Sequence, residues 1–255
     1  MVGAGLTRLI LFHTRFYAQQ TALRGARMVS RSAENLMQSE LRMIEATGGV
    51  VSADSATLLL RVPYAFGMVC LTTGATTTLS LLPVDSLMYA QGGFSGYAWR
   101  DSVGNYTYVE GGVTLGAGIA TNCTTASITT LTGGRVITLS PGLPAAAAPG
   151  VPVFLFQRVR YAFASSTTLP GRVGLWRTVA TNSAEEIAAP FDSTSRFKFF
   201  VLNRDTSQNA TPSPLGDTRG IDLVLDAASE RTPHGSTTPK RVQIRTAVFF
   251  RNRMN

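Results

Sequence analysis

Two cysteines are the residues of this sequence best suited to react with each other. Cys70 and Cys123 both lie in stretches rich in Thr and Val, and neither belongs to a C-x-x-C pair. An even number of cysteines in an exported, β-rich chain is compatible with one disulfide bond. We therefore expect a Cys70–Cys123 disulfide, and the alternative is a pair of buried free thiols.

Residues suited to catalysis or metal binding are few. The chain has two histidines, His13 and His234, and it has no HExxH, EF-hand, GxSxG or zinc-finger spacing. Catalysis and metal binding both need such groups held against a partner. The adjacent residues Glu185 and Glu186 would face opposite sides of a strand. The sequence therefore predicts no catalytic, cofactor-binding or metal-binding residues and no enzymatic activity.

The composition is that of a folded, mildly basic protein. Of the 255 residues, 44% are hydrophobic and 15% are charged, and the net charge is +8. This amount of apolar material is enough for a core. The arginines are scattered, and no run of Lys or Arg interleaved with aromatic residues occurs. We interpret the charge as a solvated basic face, in preference to a specific nucleic-acid site.

One long helix is predicted over residues 5–46. The segment contains no proline, and Gly48 and Gly49 follow it. Apolar residues recur every seven positions, and the first turns are apolar nearly all round whereas the later turns are one-sided. A helix of this length, roughly 60 Å, cannot be covered by one small domain. Its first part should therefore pack on lipid or on other helices, through a face formed by Leu6, Leu9, Ile10, Phe12, Phe16 and Leu23.

The rest of the chain predicts a β-rich head. Residues 1–47 are assigned to the helix and 48–255 to the head, in an α+β fold with a mostly antiparallel sheet and long loops. A hairpin is expected around Gly133 and Gly134, and one helical turn within 182–190. The predicted strands are 57–62, 67–72, 77–82, 106–109, 126–131, 135–139, 152–162, 173–179, 196–203, 220–226 and 241–250.

Three stretches of the chain resemble the minor pilins and pseudopilins of type IV pili and type II secretion, in particular PilW-like proteins. The first is the helix, over residues 6–20 and 38–42. The second is Val-Arg-Tyr at 159–161 followed by Gly-Leu-Trp-Arg at 174–177, similar to paired central strands of that family. The third is Arg-Thr-Ala-Val-Phe-Phe-Arg-Asn-Arg at 245–253, similar to its final strand.

The resemblance implies a pilin-like fold and a structural role in assembling a pilus or pseudopilus. It further implies an inner-membrane anchor, an extracytoplasmic head in the periplasm or on a surface filament, and trimming of the full-length chain by a prepilin peptidase. The partners would be other pilin or pseudopilin subunits, bound through the helix. The family's Phe-Thr-Leu-Ile-Glu start is absent, so we expect the chain to be truncated at its N-terminus or its start to be assigned too late.

Two other functions fit the same sequence. An anchored β-domain could bind a surface, DNA or a secreted substrate through loops 83–105 and 205–240. Tyr89, Phe94, Tyr97 and Trp99 would then form a binding surface, although we prefer to interpret them as turn and core residues. The third function is a secreted enzyme whose site is dispersed along the chain, but no motif supports it.

Overall fold

The computed structural model of the protein describes residues 2–45 and 47–250, with side chains from residue 9 onward. Helix α1 extends from Val2 to Leu41, and it ends before the predicted boundary at residue 46. The last turn tightens, since the Ile44 N–H donates to the Leu41 carbonyl three residues earlier. The chain then reverses at Gly48, whose φ of +81° favours glycine.

Over the described residues, thirteen strands form one antiparallel sheet. The strands are β1 Val50–Ala53, β2 Thr57–Thr72, β3 Thr77–Leu81, β4 Gly96–Arg100, β5 Tyr106–Glu110, β6 Thr114–Ala117, β7 Arg135–Ser140, β8 Pro152–Ser165, β9 Val173–Val179, β10 Glu185–Phe191, β11 Arg196–Val201, β12 Thr218–Ala228 and β13 Arg241–Phe249. Short helices occur at α2 Pro83–Gln91 and α3 Ala120–Thr125, with a 3-10 turn at Leu215–Asp217. The order is β11-β12-β10-β9-β8-β2-β3-β7-β6; in addition, β13 pairs with β12, β1 with β2, and β4 with both β5 and β8.

The two longest strands, β2 and β8, pair along their lengths and connect two hydrophobic cores. Their pairing extends from Thr57 opposite Ala162 to Met68 opposite Pro152, with a bulge between Pro63 and Ala65. Before the bulge, even-numbered residues of β2 enter the core beneath α1; after it, odd-numbered residues enter the second core. The extra residue of a bulge shifts the alternation by one, so both cores lie on the same face of the sheet.

The two cores differ in what covers them. The helix-side core lies between α1 and the sheet and includes Leu58, Leu60, Val159, Tyr161, Leu223 and Leu225. The distal core lies among β2, β3, β4, β7 and β8 and includes Val69, Leu79, Tyr97, Ile137, Leu139 and Leu155. Among the described side chains, those of α1 contribute to the helix-side core and not to the distal core.

The α+β class predicted from the sequence is confirmed, but several element boundaries are wrong. One strand, β2, replaces the two predicted strands 57–62 and 67–72. Residues 126–131 form a turn and a loop after α3, so the hairpin expected around Gly133 and Gly134 lacks its first strand. Most of the segment 182–190, predicted to contain a helical turn, belongs to strand β10.

Candidate functional site: the exposed half of the helix

One stripe of side chains runs along α1 with a repeat of seven residues. Its first line is Leu9, Phe16, Leu23, Ser30, Met37 and Ile44, and its second line is Phe12, Gln19, Ala26, Ala33 and Glu40. Side chains three, four and seven residues apart share one face of a helix. We call residues 26–44 the docked half, because their stripe side chains are buried against the head. We call residues 9–21 the free half, because their large apolar side chains are exposed.

The docked half packs on strands β10, β12 and β13. Its alanines, Ala26 and Ala33, are buried and bring the helix backbone close to the sheet. Met37, Leu41 and Ile44 are each 0% exposed and fill the helix-side core. Fully burying a side chain of this size stabilises the fold by roughly 1.5–3 kcal/mol, so these three hold the helix firmly to the head.

A buried carboxylate anchors the same half through polar contacts. Glu40 lies on the apolar stripe, where it accepts a hydrogen bond from the Tyr161 hydroxyl at 2.5 Å and pairs with the Arg177 guanidinium. Burial raises the pKa of Tyr161, and the neighbouring Glu40 carboxylate raises it further. Burial alone would lower the pKa of Arg177, but its hydrogen bond to Glu40 and the charge of that carboxylate raise it. Tyr161 therefore stays a neutral donor and Arg177 a cation.

A second polar contact joins the docked half to strand β13. The Thr246 hydroxyl donates to Glu34 Oε1 at 2.5 Å. The same strand is tied to β12 by Arg245, whose Nε donates to Asp222 Oδ2 at 2.9 Å. Burial alone would raise the pKa of Asp222, but the hydrogen bonds from Arg245 and Ser207 outweigh it and hold that pKa below its usual value. Charge-assisted hydrogen bonds therefore stabilise the pairing of β12 and β13 beneath the helix.

The free half presents large apolar side chains to solvent. Leu9 is 61% exposed, Phe12 71% and Phe16 50%, and Ile10 is also exposed. Leu23 is half-buried at the junction between the halves, and the side chain of Leu6 lies outside the described residues. Scattered single apolar residues are normal on a surface, whereas a contiguous patch of them marks an interaction site.

Two further residues of the free half were missed by the sequence analysis. Leu11 and Tyr17 are exposed as well, so the apolar surface extends around the helix. Tyr17 also stacks with His13, with ring centroids 6.2 Å apart. A signal for both residues is visible in the sequence, because the first turns of α1 are apolar on nearly every side.

A groove lies between α1 and the head near the junction of the two halves. Its volume is about 550 Å³, and it is lined by Ala18, Ala22 and Gly25 of α1 and by the loop 229–234. A Cβ placed on Gly25 would meet no atom within 4 Å. The groove separates α1 from this loop between residues 18 and 29, and Arg15 lies close to Gly235 beyond it.

Within the described residues, none of the helices combines the length and the apolar character that a membrane crossing requires. Over the same residues, no three side chains of His, Cys, Asp or Glu are grouped closely enough to hold a metal ion.

The two predicted disulfide residues are bonded to each other. Cys70 near the end of β2 and Cys123 in α3 form a disulfide, and both are buried. The bond closes a loop of 53 residues and attaches α3 to the sheet, so the interpretation as two free thiols is wrong.

The aromatic residues considered for a second binding surface lie in or against the distal core. Tyr97 and Trp99 are buried members of that core, and Tyr89 and Phe94 pack against it while partly buried. The Tyr97 hydroxyl donates to the Pro141 carbonyl at 2.9 Å. These side chains therefore stabilise the head, as the preferred interpretation of the sequence expected.

The contact between Glu40, Tyr161 and Arg177 was also missed by the sequence analysis. Glu40 and Tyr161 are 121 residues apart, and no spacing rule connects them. One signal was available: Glu40 is the only charged residue among the stripe positions named above. Such a residue needs a partner when it is buried.

Comparison with known proteins finds no family model that matches this chain, and no curated protein and no solved structure that matches it. The three stretches that resemble minor pilins fall on α1, on β8 with β9, and on β13. Residues 251–253 at the end of the third stretch lie outside the described part of the chain. What the protein does must therefore be inferred from the geometry of α1 and the head.

Proposed function

We propose that this protein is a non-catalytic structural subunit, of the minor pilin or pseudopilin type, that takes part in assembling a type IV pilus or a type II secretion pseudopilus. The observation that carries the proposal is the free half of α1. Its exposed side chains continue the stripe that the docked half buries, and large apolar groups such as Phe12 and Phe16 lie in the solvent.

The exposed side chains supply a driving force for association. Leu9, Ile10, Phe12 and Phe16 are each at least half exposed. Covering the exposed part of each would contribute roughly 1 kcal/mol or more. Helices of neighbouring subunits would cover them in the filament, and lipid of the inner membrane would cover them before assembly.

The head holds the helix at a defined angle, which a subunit of an ordered filament requires. Met37, Leu41 and Ile44 anchor the docked half in the core, and Glu40 adds bonds to two strands. A helix anchored in this way moves with its head as one body. The free half would therefore present its apolar side chains in a fixed direction.

The disulfide supports placing the head outside the cytoplasm. Disulfides form and persist in oxidising compartments, including the bacterial periplasm and the cell surface. The bond between Cys70 and Cys123 is buried and links two elements of the head. We accordingly place the head in the periplasm or on a surface filament, with the helix directed toward the inner membrane.

The experiment is complementation of a deletion in the source cells with wild type, Phe16→Asp or Val103→Asp. Phe16 lies on the stripe, whereas Val103 is an apolar residue of the head that is 82% exposed. We expect wild type and Val103→Asp to restore surface filaments or protein secretion. Phe16→Asp should fail, because a carboxylate cannot enter an apolar helix contact.

Two results would contradict the proposal. One is a deletion that changes neither filament number nor secretion. The other is full complementation by Phe16→Asp at wild-type protein levels. Circular dichroism of the purified variant would establish that its head is folded, so that a failure to complement can be assigned to the helix contact.

A further inference from the structure

A stripe of three arginines lies on α1 next to the free half. Arg24, Arg27 and Arg31 are exposed, and their spacing of three and four residues places them on one side of the helix. Arg24 and Arg31 lie nearly opposite the buried Ala26 and Ala33 around the helix, and Arg27 lies on the flank of the docked face. The three guanidinium groups are therefore directed to the surroundings of the protein.

Arg24 and Arg27 have no acidic residue within four positions of them on α1, and Arg31 has only Glu34, three positions later. Residues 1–33 contain five arginines and no Asp or Glu. Glu34 is the first acidic residue of the chain, and its carboxylate accepts a hydrogen bond from the Thr246 hydroxyl. The ion pairs among the described residues do not include Arg24, Arg27 or Arg31. Like charges three and four residues apart destabilise a helix, so the stripe favours an external anion.

The arginines and the apolar side chains follow one another along the helix axis. Arg24 lies eight residues after Phe16, which is about 12 Å at the rise of an α-helix. Leu9 and Phe16 point to nearly the same side as Arg27. Lipid leaflets have the same order, with an apolar layer of about 15 Å beneath each layer of phosphates.

We propose that Arg24, Arg27 and Arg31 bind the anionic head groups of phospholipids while the free half enters the apolar layer beneath them. The inference rests on the proposed function, because it identifies the surface that the same half of the helix occupies before assembly. Nucleic acid would satisfy the arginines but would offer no apolar medium for Leu9, Phe12 and Phe16. Arginine guanidinium groups pair well with phosphate oxygens.

The test measures flotation of the full purified chain with two kinds of vesicle: phosphatidylglycerol mixed with phosphatidylcholine, and phosphatidylcholine alone. Wild type should prefer the anionic vesicles, and added salt should weaken that preference. Replacing all three arginines by Gln should lower the partition onto anionic vesicles about 100-fold, and each single replacement about fivefold. Arg42→Gln is the matched control, because Arg42 is exposed but lies just after α1, about 16 Å beyond Arg31.

Three outcomes would overturn this inference: equal partition of wild type onto both kinds of vesicle, wild-type partition by the triple variant, or duplex DNA binding that is as tight as vesicle binding and depends on the same arginines. The proposed function and this inference can be contradicted independently of each other. If filaments still require Phe16 while the vesicles show no preference, only the lipid assignment is wrong. If vesicle preference is intact but Phe16→Asp assembles normally, the assembly role is wrong.

Discussion

The two halves of α1 carry the same repeat but lie in opposite surroundings. Phe16 in the free half and Met37 in the docked half lie on the same line of the stripe, separated by three repeats of seven residues. Met37 is fully buried, whereas Phe16 is half exposed. An apolar stripe therefore shows which side of a helix will be covered, but it does not show what will cover it.

A second difference concerns the size of the side chains. The second line of the stripe has Phe12 in the free half but Ala26 and Ala33 in the docked half. Alanines let a helix approach a sheet closely, whereas a phenyl ring needs a recess in its partner. Phe12 is thus less suited to close packing on the sheet than these alanines are, and under the proposed function it would enter gaps between neighbouring helices.

The largest effect on stability should come from an aspartate in the docked half, compared with the same change in the free half. Met37→Asp buries a carboxylate without a partner and should lower the free energy of unfolding by about 4 kcal/mol or more. Phe16→Asp is its matched control and should change that free energy by less than about 0.5 kcal/mol. Urea unfolding of both variants measures the difference, and equal effects would mean that the two halves are not distinct.

Removing the disulfide tests whether the docked half depends on the distal part of the head. The double variant Cys70→Ala, Cys123→Ala opens a loop of 53 residues, which should cost about 4 kcal/mol by the loop-entropy relation. Hydrogen exchange should accelerate in α3 and β7 more than in the docked half. Equal acceleration everywhere would show that the two cores unfold as one unit.

Removing a polar anchor should have a smaller effect. Arg177→Met leaves Glu40 without its cation and should lower the free energy of unfolding by about 2–3 kcal/mol. This is below the value for a fully buried pair, because the Arg177 side chain is 20% exposed. Arg160→Met, at an exposed position of β8, is the control. In a cycle with Glu40→Gln, strictly additive effects would show that the pair contributes no coupling.

The smallest effect concerns the junction between the halves. Gly25→Ala should raise the free energy of unfolding by up to about 1 kcal/mol, because alanine favours the helix and its Cβ would meet no atom within 4 Å. Gly48→Ala should instead lower the free energy of unfolding, since Gly48 has a φ of +81° and its added Cβ would lie 2.6 Å from the Tyr108 ring. A stability loss at Gly25 would indicate that the groove is more tightly packed than the structure shows.

Local patterns predicted the helix and most of the strands. The seven-residue repeat located α1, and alternating or continuous apolar runs located β3, β7, β8, β9, β12 and β13 approximately. The failures fall in segments whose composition favours a different structure. Residues 126–131 are rich in Thr and Ile, as strands are, but they follow α3 as a turn and loop. Ala and Glu within 182–190 favour a helix, but pairing with β9 makes most of that segment a strand.

The bulge in β2 could not be predicted from the chain's own pattern. It shifts the alternation between Pro63 and Ala65, so residues of one strand enter two cores on the same face. Without the partner strand, the apolar run across this region fits either one long strand or two short ones. Pairing with β8 selects the single strand.

By itself, the sequence determined that the N-terminal segment is a long helix with one apolar stripe, because helix periodicity depends only on neighbouring residues. It also determined that the remainder is rich in strands. Only the tertiary structure decided where along the stripe docking stops. That boundary depends on the width of the sheet and on contacts between residues distant in sequence, such as Glu40 with Tyr161 and Glu34 with Thr246.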